Sequence, residues 1–192
     1  MDENKEKTWE LIRSERGPDM FIFQARYDWV RNPRNQKSMR AVILETPDFV
    51  NVVAVTPEKK IVVVRQYRFG VERITTEIPS GLMNKDETPE DAVMRELREE
   101  TGYTSTQWKY LGWVEPNPAY HDNVCHQWLA LEAVKTYEPE LDEGEEIRVA
   151  ELSLEELRNE IGQGRMRNAL TLLSLAQVFD LRDPNAAGGD SG

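Results

Sequence analysis

The stretch GLMNKDETPEDAVMRELREETGY, residues 81–103, carries the strongest structural signals in the chain. Thr88 suits a helix N-cap, Pro89 suits the first helical position, and Gly102 suits the position just past a helix end. Acidic residues follow Pro89, and acidic side chains in a first turn complement the helix dipole. The stretch therefore predicts a helix over residues 88–101.

Three glutamates of this helix share one side of it. At about 100° per residue, Glu96, Glu99 and Glu100 fall within an arc of about 100°. Like charges three and four residues apart destabilise a helix, so the arrangement needs an explanation. One explanation is a solvated face with Arg95 and Arg98 nearby. The other is a site for a hard cation, because Mg²⁺ binds clustered carboxylate oxygens and cancels their repulsion.

The spacing of Gly81, Glu87 and the run RELREETG at residues 95–102 resembles the Nudix box, with Tyr103 at a final position that is usually aliphatic. Other segments resemble the ADP-ribose and nucleoside-diphosphate-sugar pyrophosphatase branch of the Nudix hydrolase superfamily. They are RQYR at 65–68, EIPSG at 77–81, Pro118, EGEEI at 143–147 and GRMRNA at 164–169. The resemblance implies an α/β/α sandwich with a mixed sheet and an N-terminal antiparallel β subdomain. It also implies metal-dependent cleavage of the diphosphate of a nucleoside diphosphate sugar to NMP and sugar phosphate.

A diphosphate is repelled by bare carboxylates, so cations must invert the local field. Mg²⁺, or Mn²⁺ in its place, is the expected cofactor, and the helix carboxylates are its expected ligands: Glu96, Glu99 and Glu100. The resemblance adds the Ser80 carbonyl and Glu145 as ligands. Glu143 or Glu145 is the expected general base, because a loop carboxylate can approach the attacking water from outside the metal cluster.

Two residues of the stretch are expected to support the ligands. Arg95 is expected to orient Glu96 or a neighbouring carboxylate and so to fix the ligand geometry. Glu87 precedes the helix and lies away from the arc of three carboxylates. A structural or supporting role is therefore expected for Glu87.

Three residues outside the stretch are candidates for binding substrate. Arg68 follows a predicted strand, where its guanidinium can hold a phosphate through two hydrogen bonds; a surface ion pair is the alternative. Arg40 is a second candidate of the same kind. Phe21 can stack a nucleobase, although most aromatic rings of this region are expected to serve sheet or dimer packing.

Three regions follow from the pattern of elements. Residues 1–48 are predicted as an N-terminal β subdomain, 49–182 as the Nudix catalytic domain, and 183–192 as a disordered tail. In the first region, the odd positions of 21–29 are aromatic except for Ala25 and alternate with mostly polar ones, which is typical of a half-buried strand. Further strands are predicted at 39–45, 52–55, 61–64, 108–114 and 125–133, and further helices after Ser153 and at 169–181.

Composition excludes several functional classes. The chain has 24 Lys and Arg against 35 Asp and Glu, a net charge of −11, which argues against binding nucleic acid or an anionic membrane. Its apolar runs are far shorter than a membrane span, and no apolar signal-peptide core is present at its polar start. The single Cys125 excludes an internal disulfide and fits a reducing compartment, so a cytoplasmic protein is expected.

The first region is too short for its own core and should pack on the rest or on another subunit. The resemblance implies a homodimer that exchanges this region. Two other functions stay open: hydrolysis of a nucleoside triphosphate or dinucleotide by the same box, and nucleotide sensing without cleavage. Pro118-Ala119 and Asn123 depart from the pattern of the branch and resemble relatives that cleave other nucleotide sugars, so ADP-ribose is one candidate substrate.

Overall fold

The computed structural model describes residues 8–141, 143–144 and 146–182. Their contacts form two units, one of residues up to Pro47 with Glu115–Val124, the other of Asp48–Val114 with residues from Cys125 onward. The segment 115–124 belongs to the first unit, to which it is hydrogen-bonded through the main chain: Tyr120 O accepts from Leu44 N at 2.7 Å. The predicted tail at 183–192 lies outside the described residues.

The first unit contains three strands, β1 (Glu10–Asp19), β2 (Gln24–Arg31) and β3 (Ser38–Glu45). They form an antiparallel sheet in the order β1-β2-β3. The prediction of a strand over 21–29 is wrong at its start. Phe21 is fully exposed and has a φ of +74°, in a turn where its N–H donates to Asp19 Oδ1 at 3.0 Å. Phe21 and Phe23 therefore lie in the connection before β2 and are not part of the strand.

Asp28 departs from the expected polar outer face of β2. It is buried, and there Ser14 Oγ donates to its Oδ1 at 2.5 Å and Arg26 Nε donates to its Oδ2 at 3.2 Å. A buried carboxylate needs such partners to offset the loss of water. Alternation in the sequence cannot reveal these partners, since Ser14 comes from a different strand.

The strands of the second unit are β4 (Phe49–Val55), β5 (Ile61–Arg68), β6 (Arg73–Glu77), β7 (Ser80–Leu82), β8 (Tyr103–Thr104), β9 (Gln107–Val114), β10 (Cys125–Leu131), β11 (Val134–Lys135) and β12 (Ile147–Leu152). Seven of them form a mixed sheet in the order β12-β5-β4-β10-β9, with β6 beside β5 and β7 beside β4. The β4–β10 pair is parallel and the other pairs are antiparallel. The two short strands β8 and β11 pair separately.

Helices cover both faces of this sheet, which confirms the predicted α/β/α sandwich. They are α1 (Pro89–Thr101), α2 (Leu154–Gly162) and α3 (Ala169–Val178). Val52 and Ala54 of β4 pack in one core with α1, while Val53 and Val55 pack in the other core with α2 and α3. Burial on both faces explains why this strand is a continuous apolar run.

The ends of the helices follow their local sequence signals. Thr88 Oγ1 accepts from Asp91 N at 3.1 Å, and Gly102 adopts a φ of +75° just past α1. A Cβ at Gly102 would also overlap the carbonyl oxygen of Tyr137, so glycine is required there. Ser153 opens α2 with a complete capping box. Within the described residues, no helix has the length and hydropathy needed to cross a membrane.

Candidate active site

Helix α1 presents its three glutamates with graded exposure. Glu100 is buried at 3 % exposure, while the side chains of Glu96 and Glu99 are 12 % and 30 % exposed. The gradient follows the helix wheel, because Glu100 lies nearest to the buried Val93 and Leu97. Burying two neighbouring carboxylates is costly unless positive charge or hydrogen-bond donors meet them.

Strand β7 supplies part of that environment. The main-chain N–H of Ser80 donates to Glu100 Oε2 at 2.9 Å. The carboxylate of Glu96 occupies the space that a Cβ on Gly81 would fill, so any side chain at position 81 would displace it. The structure thus brings Ser80, Glu96 and Glu100 together, and Gly81 makes the close approach possible.

Arg95 joins the helix to the segment before it. Its Nε and Nη2 donate to the two carboxylate oxygens of Glu87 at 2.8 and 2.9 Å, and Nη2 also reaches Leu82 O at 3.0 Å. Its Nη1 donates to Glu96 Oε1 at 2.6 Å and to Glu99 Oε2 at 3.1 Å. The hydrogen bonds that Arg95 donates to Glu87, ahead of the one to Glu96, raise the pKa of Arg95 above its ordinary value. Arg95 therefore stays charged and holds two of the three helix carboxylates.

The donor chemistry of this corner fits a hard divalent cation, since carboxylate and main-chain oxygens are the ligands that Mg²⁺ prefers. Across residues 8–141, 143–144 and 146–182, however, no three or more His, Cys, Asp or Glu side chains are arranged to hold a metal ion. In this structure Arg95 donates to Glu96 and Glu99, and Arg98 Nη2 donates to Glu99 Oε1 at 3.1 Å. The assignment of Ser80, Glu96, Glu99 and Glu100 as metal ligands stays a prediction.

The loop that carries the expected general base is described in part. Glu143 lies in an exposed turn before β12. Glu145, expected as both a metal ligand and a base, lies outside the described residues. The choice between these two glutamates as the base therefore stays a prediction.

Arg68 is held by a buried glutamate. Its Nε and Nη2 donate to Glu77 at 3.0 and 2.8 Å. Thr75 Oγ1 and Asn168 Nδ2 also donate to Glu77, at 2.6 and 3.0 Å. Burial works to raise the pKa of Glu77, but the hydrogen bonds from Arg68 and Thr75 outweigh it and the pKa lies below its ordinary value. From the sequence, Glu77 was noted only as the first residue of the segment EIPSG. Its role in holding Arg68 could not be predicted, because it depends on hydrogen bonds from residues of three different elements.

The other two substrate candidates lie in the three-stranded unit. The guanidinium of Arg40 lies 4.9 Å from the ring centroid of Tyr27, in a cation–π contact across β3 and β2. Phe21 projects fully exposed from the turn between β1 and β2. Their substrate roles stay predictions.

Tyr103, the unusual final residue of the box, is accommodated in the core. Its ring packs with Val93 and Leu97 of α1, and its hydroxyl donates to Glu151 of β12. Burial, with a contribution from Glu151, raises the pKa of Tyr103 to about 12. The phenol therefore stays protonated and ties the end of α1 to β12.

The chain is similar in sequence to several known proteins. The sequence model of the NUDIX domain matches residues 46–173. The chain is 37 % identical to an ADP-ribose pyrophosphatase of Bacillus subtilis (strain 168) over 149 residues, which cover 77 % of this chain and 74 % of that protein. It is 34 % identical to a methanol dehydrogenase activator of Bacillus methanolicus over 163 residues, 84 % of this chain and 87 % of that one.

A solved structure shares the fold. The crystal structure of an ADP compounds hydrolase superposes with a TM-score of 0.78, covering 88 % of this chain and 91 % of that one, at 18 % sequence identity. At that identity the likeness concerns the fold alone.

Proposed function

Because the chain belongs to the NUDIX domain family, we propose that this enzyme hydrolyses the diphosphate linkage of a nucleoside diphosphate sugar, giving NMP and a sugar phosphate. The observation that carries the proposal is the placement of Glu96 and Glu100 against Ser80–Gly81, with Arg95 beside them. A helix holds oxygen ligands more rigidly than a loop, as a tight magnesium site requires.

The residues that would hold the cofactor are the Ser80 carbonyl, Glu96, Glu99, Glu100 and Glu145. When bound, Mg²⁺ or Mn²⁺ neutralises phosphoryl oxygens and lowers the pKa of a coordinated water. Arg95 keeps Glu96 and Glu99 at fixed positions on the helix. Without a bound cation, these carboxylates and the net charge of −11 would repel an anionic substrate.

The protein side of the reaction is acid–base and positioning chemistry. Glu143 or Glu145 accepts the proton of the attacking water as its oxygen forms a bond to phosphorus and the bridging P–O bond breaks. Arg68 donates to a non-bridging phosphate oxygen, as arginine does at phosphate sites. Its guanidinium plane is already fixed by Glu77, so little conformational freedom is lost on binding.

ADP-ribose is the first substrate to test, since one relative is an ADP-ribose pyrophosphatase. Pro118-Ala119 and Asn123 favour other nucleotide sugars as well. Asn123 is buried and donates from Nδ2 to Pro47 O at 3.0 Å, so it helps to hold the segment that carries Pro118. We expect changes in this segment to alter the choice of sugar more than the chemistry, because Ala119 and Asn123 are where the sequence departs from the pattern of the ADP-ribose branch.

The experiment is a measurement of product release, with and without Mg²⁺, from ADP-ribose, UDP- and GDP-sugars, a dinucleoside polyphosphate and dNTPs. Metal-dependent release of NMP from the diphosphate sugars supports the proposal, and the kcat/KM ranking identifies the substrate. Cleavage confined to dNTPs or dinucleotides would still support metal-dependent hydrolysis by the Nudix box, but it would contradict the proposed class of substrate. Tight binding of ADP-ribose without any cleavage would instead indicate a nucleotide sensor.

We expect Glu100→Gln to lower kcat by at least a hundredfold, because removing a metal ligand removes several kcal/mol of transition-state stabilisation, about 1.4 kcal/mol for each tenfold. The measurement is kcat on the best substrate of the panel, with circular dichroism to show that the variant is folded. Near-normal turnover by the folded variant would contradict the metal assignment.

We also propose that the chain is a homodimer joined through its three-stranded sheet. Exposed apolar surface can mark a protein–protein interface, and large apolar side chains of that unit are exposed: Trp9, Leu11, Ile12, Met20, Phe21, Ile22, Met39 and Val42. Sedimentation equilibrium is expected to return twice the mass of one chain. A monomer at micromolar concentration would contradict the proposal.

A further inference from the structure

Three of the motif segments meet in the second unit, although they lie far apart in the sequence. RQYR ends with Arg68, EIPSG begins with Glu77, and GRMRNA contains Asn168. Asn168 Nδ2 donates to Glu77 Oε2 at 3.0 Å. Because the same glutamate holds Arg68, the third segment is connected through one carboxylate to the arginine that is proposed to bind phosphate.

Each oxygen of the Glu77 carboxylate accepts two hydrogen bonds. Oε1 accepts from Arg68 Nε at 3.0 Å and from Thr75 Oγ1 at 2.6 Å. Oε2 accepts from Arg68 Nη2 at 2.8 Å and from Asn168 Nδ2 at 3.0 Å. The last torsion of a glutamate side chain is soft, so a carboxylate bonded to Arg68 alone could rotate together with the guanidinium. The second bond at each oxygen therefore fixes the plane of the carboxylate and, through it, the plane of the guanidinium.

Burial differs sharply between the two members of this ion pair. The side chain of Glu77 is 3 % exposed, whereas that of Arg68 is 41 % exposed. The carboxylate is thus shielded from water, while part of the arginine remains in reach of a ligand. A hydrogen bond to a shielded, ionised group is stronger than one that competes with solvent. The bond from Asn168 is therefore able to influence where the exposed arginine lies.

The side chain of Asn168 uses different atoms for two contacts. Its Oδ1 accepts from the N–H groups of Leu170 and Thr171 at 3.0 and 3.1 Å, which caps α3, while its Nδ2 donates to Glu77. The opposite orientation of the amide would place oxygen against a carboxylate and NH₂ against two N–H groups, so the partners determine the orientation. Serine caps a helix about as well as asparagine but has no amide to donate. The cap and the contact with Glu77 can therefore be separated by substitution.

Helix α3 is itself held in one position on the sheet by buried hydrogen bonds. Ser174 Oγ donates to Asn51 Oδ1 of β4 at 3.0 Å and accepts from Gln127 Nε2 of β10 at 2.5 Å. One turn further along, Gln177 Nε2 donates to Gln127 Oε1 at 2.5 Å. Hydrogen bonds are directional, so they restrict the rotation and the sliding of a helix more than apolar contacts do. The N-terminus of α3 is thus a firm support for the contact with Glu77.

We propose that Asn168 is a positioning residue for Arg68, which it acts on through the carboxylate of Glu77. The proposal rests on the proposed function, since it takes Arg68 to contact a phosphate of the substrate. A guanidinium held in one plane loses little freedom on binding, whereas one that has lost its support must be ordered by the ligand. The loss of Asn168 therefore weakens binding more than bond cleavage, so KM rises and kcat changes little.

The test is a double-mutant cycle of Asn168→Ser and Arg68→Gln, with kcat and KM measured on the best substrate of the panel. Asn168→Ser is expected to raise KM about fivefold, the effect of one hydrogen bond, with little change in kcat. In the Arg68→Gln background the same substitution is expected to have no further effect, because the arginine on which it acts is gone. The same rise in KM in both backgrounds would overturn the proposal.

Ser153→Ala is the matched control for a general loss of stability. Ser153 caps α2 and has no bond to Glu77. Its replacement is expected to lower the Tm and to leave KM unchanged, whereas Asn168→Ser is expected to keep a Tm close to that of wild type. If the two variants raised KM equally, KM would be reporting stability alone and the proposal would be overturned.

A spectroscopic measurement without substrate or metal separates this proposal from the proposed function. The Nε–H of Arg68 donates to Glu77, so its NMR signal, identified by its loss in Arg68→Gln, is expected to exchange slowly with water. Asn168→Ser is expected to accelerate this exchange, and Ser153→Ala is not. Unchanged exchange in Asn168→Ser would overturn the proposal. Faster exchange, together with an unchanged KM in Arg68→Gln, would support the positioning of Arg68 and contradict its proposed contact with phosphate.

Discussion

Gly81 matters because another residue's side chain occupies the space where its own Cβ would lie. The Glu96 carboxylate lies where a Cβ would be, and the neighbouring Ser80 N–H bonds to Glu100. A single missing side chain thus lets a strand approach two helix carboxylates at once. The requirement is spatial, and it explains glycine at a position inside a strand, where glycine otherwise weakens pairing.

We expect Gly81→Ala to lower kcat on the order of a hundredfold while the protein stays folded, since a displacement of about 1 Å in a catalytic group has effects of that size. The measurement is kcat by product release, with circular dichroism as the check of folding. Gly162→Ala is the matched control, because a Cβ there meets nothing within 4 Å. Equal turnover of the two variants would show that Glu96 needs no fixed position.

Among the secondary-structure elements, β5, β6 and α3 are connected by the carboxylate of Glu77. It receives hydrogen bonds from Arg68 at the end of β5, from Thr75 in its own strand β6, and from Asn168, the N-cap of α3. A carboxylate buried in this way stabilises the fold only while it is ionised. The contribution of Glu77 to the free energy of unfolding therefore depends on pH.

The lowered pKa of Glu77 fixes the sign of that dependence. Stabilisation by Glu77 is complete above the unfolded-state pKa of about 4.3 and is lost as pH falls through the lower folded-state pKa. We therefore expect Glu77→Gln to be less stable than wild type at pH 7, by about 1–3 kcal/mol, and the difference to shrink as pH falls below 4. Urea denaturation across pH 3–7 measures it. A difference that is constant over this range would contradict the assignment.

At the scale of the whole molecule, the second unit encloses its central strands between helices. Cys125 begins β10, which pairs with β4 on one side and β9 on the other, and its side chain is fully buried. Burial raises the pKa of its thiol to about 12, so the reactive thiolate is almost absent at neutral pH.

Cys125 is thus a reporter of unfolding. We expect its reaction with a disulfide reagent at pH 7 to be slower than that of a free thiol by several orders of magnitude, and to reach the free rate in denaturing urea. The measurement is absorbance of the released thiol against time. Rapid labelling under native conditions would show that the sheet opens locally at β10.

The sequence predicted α1 almost to the residue, because its start and stop signals are local. Thr88, Pro89 and Gly102 act through their own backbone geometry and their immediate neighbours. The continuous apolar strands were also predicted, because a strand buried on both faces has an apolar residue at nearly every position. By contrast, β1 (Glu10–Asp19) was missed, because its mixed sequence is a strand only through pairing with β2.

By itself the sequence determined the fold family, the caps of the first helix and the stripe of three glutamates along it, since each depends on spacing within one segment. Only the tertiary structure decided that Glu96 lies over Gly81 and that Glu77 holds Arg68. It also decided that Phe21 leaves its strand for an exposed turn. The physical reason is the range of the interaction: helix periodicity and capping act within a few residues, whereas these contacts join segments whose distance is set by packing.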